Sequence, residues 1–321
     1  MTGRRALILG ISGQDGSYLA ELLLAKGYEV WGLVRGSPER RFPNLEAIQD
    51  RLRLVHGDLR DRSGLEQLVE QSRPHELYNL ASTSTVAGSW DDPLANAEET
   101  VLAVTTLLEA IRRVDPAIRF YLASSSQLFG AATESPQRET TPFRPTDPYG
   151  AAKLYAQVLI ASYRERYGIH GSSGIAFNHE SPRRPERYVT RKVTRAAAAI
   201  SLGLEDKLVL GDLAATRDWG FAGDFVEAMW LMLQADEGSE YVLATGVSRS
   251  VRELVDAAFG GVGLDPDDHL EIDATLVRPP YEIPLVGDAT KARERLGWRP
   301  ATSFEEMIAA MVERDRALAT G

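Results

Sequence analysis

Residues 6–17, ALILGISGQDGS, decide the fold class. Ala6 to Leu9 form an apolar run too short for a helix and closed by a glycine, which reads as a buried strand. Gly10, Gly13 and Gly16 follow in GxxGxxG spacing, and Ser17 opens a segment of helical period. A glycine turn between strand and helix lets backbone approach a pyrophosphate closely. The helix start offers free N–H groups and the positive end of its dipole to the phosphate charge. A dinucleotide site is implied. A tight turn that binds nothing is the alternative, and the strand before it and helix after it count against that reading.

Outward from this stretch, runs rich in Leu, Ile, Val and Tyr at 29–34, 52–56, 76–79, 120–123 and 173–177 alternate with longer segments. Those at 17–26, 62–71, 94–114 and 149–167 have helical period, with Gly27 and Pro116 as stop signals. Strands alternating with helices require a parallel sheet covered on both faces and wound by right-handed crossovers. The expected fold is α/β, a doubly wound parallel sheet of Rossmann type. After about residue 178 the rhythm changes, with SPRRPERY at 181–188 followed by shorter elements near 190–202, 224–235 and 304–317. Residues 1–178 are thus expected to form the cofactor-binding domain and 179–321 a smaller substrate lobe, with segments near 220–247 returning to the first. Gly, Pro and Asp clusters at 260–268 and 278–284 read as loops.

Lys and Arg number 36 against 46 Asp and Glu, a formal charge of −10. Nucleic acid is not an expected partner, because non-specific polyanion binding draws on a surplus of basic groups. With no Cys there is no disulfide, thiolate–zinc site or thiol nucleophile, and five scattered His form no metal-ligand spacing. No metal is expected. No apolar stretch approaches the roughly 20 residues that span a bilayer, and the run after Arg4 and Arg5 breaks at Gly10 with no cleavage signal. A cytoplasmic protein without a membrane partner is expected.

Arg35 ends the second strand, where NAD-preferring sites place an acid on the ribose 2′-hydroxyl. A guanidinium suits a 2′-phosphate instead, so NADP is the expected cofactor and NAD the alternative; a lone Arg at a strand end also occurs as an ordinary solvated residue. Asp58 and Leu59, with Leu80, Ala81 and Ser82, fall at carboxyl ends of strands, where such a sheet opens its crevice. Tyr149 and Lys153 stand four apart at a helix start and so share a face. An ammonium beside a phenol favours the phenolate, letting Tyr149 take a proton from a substrate hydroxyl as hydride leaves. YxxxK alone is common in helices, but behind GxxGxxG two independent motifs agree on one chemistry. Ser124, Ser125, Ser126 and Gln127 follow the fifth strand, where a hydroxyl could share that proton, though serines are also frequent at strand exits.

Longer blocks carry a resemblance: GISGQDGSYLAELLLAKGYEVWGLVR (10–35), TPFRPTDPYGAAKLYA (141–156), FNHESPRR (177–184) with VTRK (189–192), RDWGFAGDFVEAMWLML (217–233) and GDATKARERLGWRP (287–300). In order and spacing they resemble the extended short-chain dehydrogenases/reductases, and within these the GDP-mannose 4,6-dehydratase family, over nearly the whole chain. The resemblance implies an enzyme with NADP contacts from Gly10, Gly13, Gln14, Asp15, Gly16, Arg35, Asp58, Leu59, Leu80, Ala81, Ser82, Ser84, Tyr149, Lys153, His179 and Arg184. It implies nucleotide-sugar contacts from Thr83, Thr85, Ser126, Asn178, Val189, Lys192, Arg217, Arg278 and Glu282. Ser125, Gln127, Tyr149 and Lys153 fall at the family's catalytic positions, and a homodimer or homotetramer is the implied assembly.

Three departures alter the expectation. Gln127 stands where the family has Glu, and an amide can neither abstract the C5 proton nor protonate the departing C6 hydroxyl. Ser125 keeps a hydroxyl for oxidation at C4. Thr83 and Thr85 replace Gln and His of the family, which suggests a different sugar. Tyr281 replaces an acid three positions after Arg278, with Glu282 displaced by one, which weakens the expectation of guanine. The expected function is oxidation or reduction of a GDP-linked hexose at C4, with 4-epimerisation or 4-keto reduction favoured. A true 4,6-dehydratase using another acid–base group and a non-catalytic NADP-binding protein are the alternatives. Intact Tyr149 and Lys153 count against the latter.

Overall fold

The computed structural model describes residues 3–37, 39–82, 86–277 and 282–320. Thr83, Ser84, Thr85 and Arg278, all expected at the site, lie outside them. The strands are β1 (Arg5–Leu9), β2 (Glu29–Val34), β3 (Arg53–His56), β4 (Glu76–Asn79), β5 (Arg119–Ala123) and β6 (Gly171–Ala176), then β7 (Asn178–Glu180), β8 (Leu208–Leu210), β9 (Thr216–Phe221), β10 (Glu240–Leu243), β11 (Ser248–Ser250) and β12 (Leu270–Ile272). The helices are α1 (Gln14–Ala25), α2 (Arg62–Ser72), α3 (Val86–Asp91), α4 (Pro93–Ala97), α5 (Ala103–Val114) and α6 (Pro148–Tyr167), then α7 (Val189–Ser201), α8 (Ala222–Met232), α9 (Val251–Gly260), α10 (Thr290–Leu296) and α11 (Phe304–Thr320). A π-helical turn, Glu98–Leu102, joins α4 to α5.

The main sheet has the order β10-β6-β5-β4-β1-β2-β3, with every pairing parallel. Its near-continuous apolar strands follow from burial on both faces. Alternate residues divide between those faces. Ile8, Tyr78 and Tyr121 pack with Leu19 and Leu23 of α1 and Phe225 and Met229 of α8. Leu7, Leu9, Phe120 and Leu122 pack with Leu68 of α2, Leu107 and Ile111 of α5 and Ile160 of α6. Truncating one such leucine to alanine typically costs about 2–5 kcal/mol. The chain winds outward from β1 through β3, then restarts beside β1 with β4. That reversal opens a crevice at the carboxyl ends of β1 and β4.

Local signals fix what borders the crevice. Helix α6 starts where Asp147 accepts a hydrogen bond from the Gly150 N–H at 2.8 Å and Pro148 occupies the first turn, and it stops at Gly168 with φ +68°. Tyr149 and Lys153 are thereby held in its first two turns. Helix α1 begins at Gln14, three residues earlier than the expected Ser17, because its cap is Gly13, which carries no side chain to announce it. Beyond β6, the short β7 pairs with β9, β9 with β11, and β8 with β12. Helices α7, α9 and α11 close over a separate core around Trp219, Leu254 and Met311. Strand β10 joins the main sheet beside β6, and α8 lies on α1. Among the described residues, no helix is long and apolar enough to cross a membrane.

Candidate active site

Two cavities, with Asp15, Leu80, Ser82 and Arg184 in the walls of both, form the two ends of the cleft. Gly10, Gly13, Gln14, Asp15 and Gly16 line one end with Arg35, Leu59, Leu80, Ala81, Ser82 and Arg184. Gly10 has φ +82°, and a Cβ there would lie 3.0 Å from the Ala81 nitrogen; a Cβ on Gly16 would lie 2.3 Å from the Gly10 carbonyl oxygen. Only glycine lets turn, helix and β4 exit approach so closely. The first-turn N–H groups of α1 have no intrahelical acceptor, and Gly13 supplies no capping side chain. An anion would satisfy them. Asp58 does not line this end. Its carboxylate accepts two bonds from Arg60, each of 3.1 Å, and these chiefly pull its pKa down to about 2.

At the other end, Ser124, Ser125, Ser126 and Gln127 from the β5 exit meet Tyr149 and Lys153 of α6, with Asn178 and His179 of β7 opposite. The carbonyl of Gln127 sits close under Gly150, where a Cβ would fall 2.8 Å from it, so the loop is seated on the start of α6. The backbone N–H of Gln127 donates to Ser125 Oγ at 3.2 Å. Burial pushes Tyr149 up to about 12, opposed by its hydrogen bond with Ser125 and by the charge of Arg184. Burial also pulls Lys153 down to about 8; its Nζ donates to the Ala123 carbonyl at 2.8 Å and lies 5.6 Å from the Tyr149 ring centroid. Desolvation thus acts on Tyr149 against the pull toward phenolate expected of Lys153.

His179 ties the two ends together. Its Nδ1 donates to the Phe177 carbonyl at 2.7 Å and its Nε2 to Asp15 Oδ2 at 2.9 Å. Both partners are acceptors, so both ring nitrogens carry protons. Burial opposes charge on each group, yet the mutual attraction wins: His179 is raised and Asp15 lowered. Gln14 adds a 2.9 Å bond to Asp15, and the His179 ring stacks on Phe225 at 4.8 Å. Asp15 is the one carboxylate among the described residues lining either end, and it is fully engaged.

The cleft also holds buried polar atoms that have no hydrogen-bond partner, Tyr121 Oη and Ser124 Oγ. Such groups are costly when left bare. With the glycine cradle and uncapped helix start, they fit a bound dinucleotide. Of the residues expected at the sugar, Ser126 and Asn178 line the cleft. Val189, Lys192 and Arg217 are absent from its described lining, and Glu282 borders a separate depression with Arg144 and Thr146. The Arg217 guanidinium donates to the Thr216 carbonyl at 2.6 Å. Residue-by-residue reading missed Tyr121, Arg187, Tyr188 and Met229, which line the same space. Arg187 and Tyr188 belong to SPRRPERY, whose composition was the available signal.

Comparison with known proteins agrees with this geometry. The family model described as GDP-mannose 4,6 dehydratase matches residues 7–311. GDP-mannose 4,6 dehydratase 1 of Arabidopsis thaliana is 48% identical, covering 98% of this chain and 90% of the relative. The GDP-mannose 4,6-dehydratase of Sinorhizobium fredii is 47% identical over 100% and 99%. Among solved structures, UDP-glucose 4-epimerase of Thermus thermophilus, in complex with NAD, superposes with a TM-score of 0.82 at 29% identity, covering 97% and 99% of the two chains. The chain belongs to the GDP-mannose 4,6-dehydratase family and is an enzyme of the nucleotide-sugar epimerase/dehydratase type of short-chain dehydrogenase/reductase.

Proposed function

We propose that the enzyme binds NADP along the cleft and oxidises or reduces C4 of a GDP-linked hexose without efficient loss of water. The observation that carries this reading is Gln127: it lies beside Ser125 and Tyr149, and the only carboxylate among the described lining residues is locked to His179. When bound, the nicotinamide supplies the hydride acceptor or donor. Ser125 and Tyr149 hold the C4 oxygen between two hydroxyls and move its proton. Lys153, buried and part-charged near pH 8, adds positive potential beside them. Asn178 and the lobe beyond it supply the sugar side. Elimination needs a group that gains and loses a proton at C5 and C6, and the Gln127 amide does neither. Loss of such a group typically costs about 10²–10⁴-fold in rate.

The identity of 47–48% to named dehydratases favours a second reading, a 4,6-dehydratase served by another acid–base group. Incubation of the purified enzyme with GDP-mannose and NADP, followed by mass and NMR analysis of the sugar, separates the two. The first reading predicts a 4-keto or C4-inverted product that retains its C6 hydroxyl. Efficient release of one water by the wild type would establish the second.

A further inference from the structure

Arg35, which lines the glycine end of the cleft, is paired with an acid that the family motifs do not call for. Glu99, on the π-helical turn between α4 and α5, is buried, and its carboxylate pairs with the Arg35 guanidinium at 2.7 Å. Arg35 itself is largely exposed and lines the glycine end of the cleft. Next to this pair stands the forked pair of Asp58 and Arg60; Asp58 feels the charge of Arg35, and Arg60 feels those of Glu98 and Glu99. Each of these two guanidiniums thus already has a carboxylate partner.

We propose that Glu99 is a specificity-determining residue which, by holding Arg35, suppresses preference for the 2′-phosphate and lets the enzyme use NADP and NAD alike. This rests on the reading that a nicotinamide dinucleotide occupies the cleft with its adenosine ribose near Arg35. Drawing a guanidinium away from a buried carboxylate costs free energy, because their attraction is lost where water screens it little. A 2′-phosphate must therefore share Arg35 with Glu99 and accept repulsion from a fixed negative charge. The ribose 2′-hydroxyl of NAD meets no such opposition, and the carboxylate can accept a hydrogen bond from it.

The test is binding, with no sugar and no turnover: fluorescence titration of NADPH and NADH into wild type, Glu99→Gln, Arg35→Ala and the double variant, each checked for folding by thermal melting. Wild type is expected to bind the two within about tenfold of each other. Glu99→Gln should tighten NADPH by about tenfold, the worth of one charge-assisted hydrogen bond, and change NADH by less than about threefold. The gain should vanish when Arg35 is Ala. Three results would overturn the proposal: an unchanged NADPH/NADH ratio in Glu99→Gln, a loss of NADPH affinity there, or a gain that persists without Arg35. If Glu99→Gln does not fold, the wild-type ratio decides, and a preference for NADPH above about tenfold would refute it. Failure of folded wild type to bind either nucleotide would instead refute the reading of the cleft, and this inference with it.

Discussion

At its glycine end the cleft is made of backbone, from Gly10, Gly13, Gly16 and the first turn of α1; at its hydroxyl end it is made of side chains, from Ser125 and Gln127 after β5 and Tyr149 and Lys153 on α6. Each end is therefore vulnerable in a different way. The backbone end cannot take an added carbon where its elements touch. The side-chain end can lose or gain a reaction by one substitution while the fold stays whole. An enzyme can thus keep its cofactor site and drift in chemistry through a position such as Gln127.

The largest effect is expected from Tyr149→Phe. It removes the proton relay, should lower kcat for C4 oxidation by about 10²–10⁴-fold, and should leave cofactor affinity within a few fold. Turnover close to wild type would break the assignment of the hydroxyl end. Gly16→Ala should act on the other end, because its Cβ would fall 2.3 Å from the Gly10 carbonyl. Overpacking of this kind typically costs about 1–3 kcal/mol, visible as a lower denaturation midpoint, with weaker NADPH binding. An unaltered midpoint would show that the turn has room to relax. Arg35→Ala should weaken NADPH more than NADH, by about tenfold or less, since Glu99 already shares the guanidinium. Equal loss for both nucleotides in titrations would remove the 2′-phosphate from the account.

The smallest effect is a pH dependence at the hydroxyl end. Burial lowers Lys153 from 10.5 to about 8 in the folded chain. Between these values the unfolded chain binds more protons, so this group adds stability as pH rises from about 8 toward 10.5 and penalises folding below that window. Denaturant unfolding at pH 8 and pH 10 should show a smaller gain in Lys153→Met than in wild type. An equal gain would mean that the ammonium is better solvated than its burial implies.

The same contrast explains what the sequence made legible. The GxxGxxG turn and YxxxK pair are local: each lies within one turn or helix start, so spacing alone carries their geometry. The Asp15–His179 pair joins residues from α1 and β7, and the Glu99–Arg35 pair joins a π-helical turn to the end of β2. Neither pairing leaves a periodic trace. Tyr121 reads as an ordinary strand residue until the fold places its hydroxyl at the cleft. Strands of three residues, such as β7, β8 and β11, are too short for alternation to show. The Asp58–Arg60 pair is likewise invisible at the strand exit that singled out Asp58, since no pattern there announces where its carboxylate bonds.

The central claim is that Gln127 separates oxidation at C4 from elimination. Its most direct test is incubation of wild type and Gln127→Glu with GDP-mannose and NADP in D₂O, reading deuterium at C5 and the mass of the sugar. Wild type is expected to yield a product oxidised or inverted at C4 with its C6 hydroxyl retained and little deuterium at C5. Gln127→Glu should raise both C5 exchange and loss of water, because a carboxylate there can carry the proton from C5 to the leaving oxygen. Efficient dehydration with C5 labelling by the wild type would contradict it.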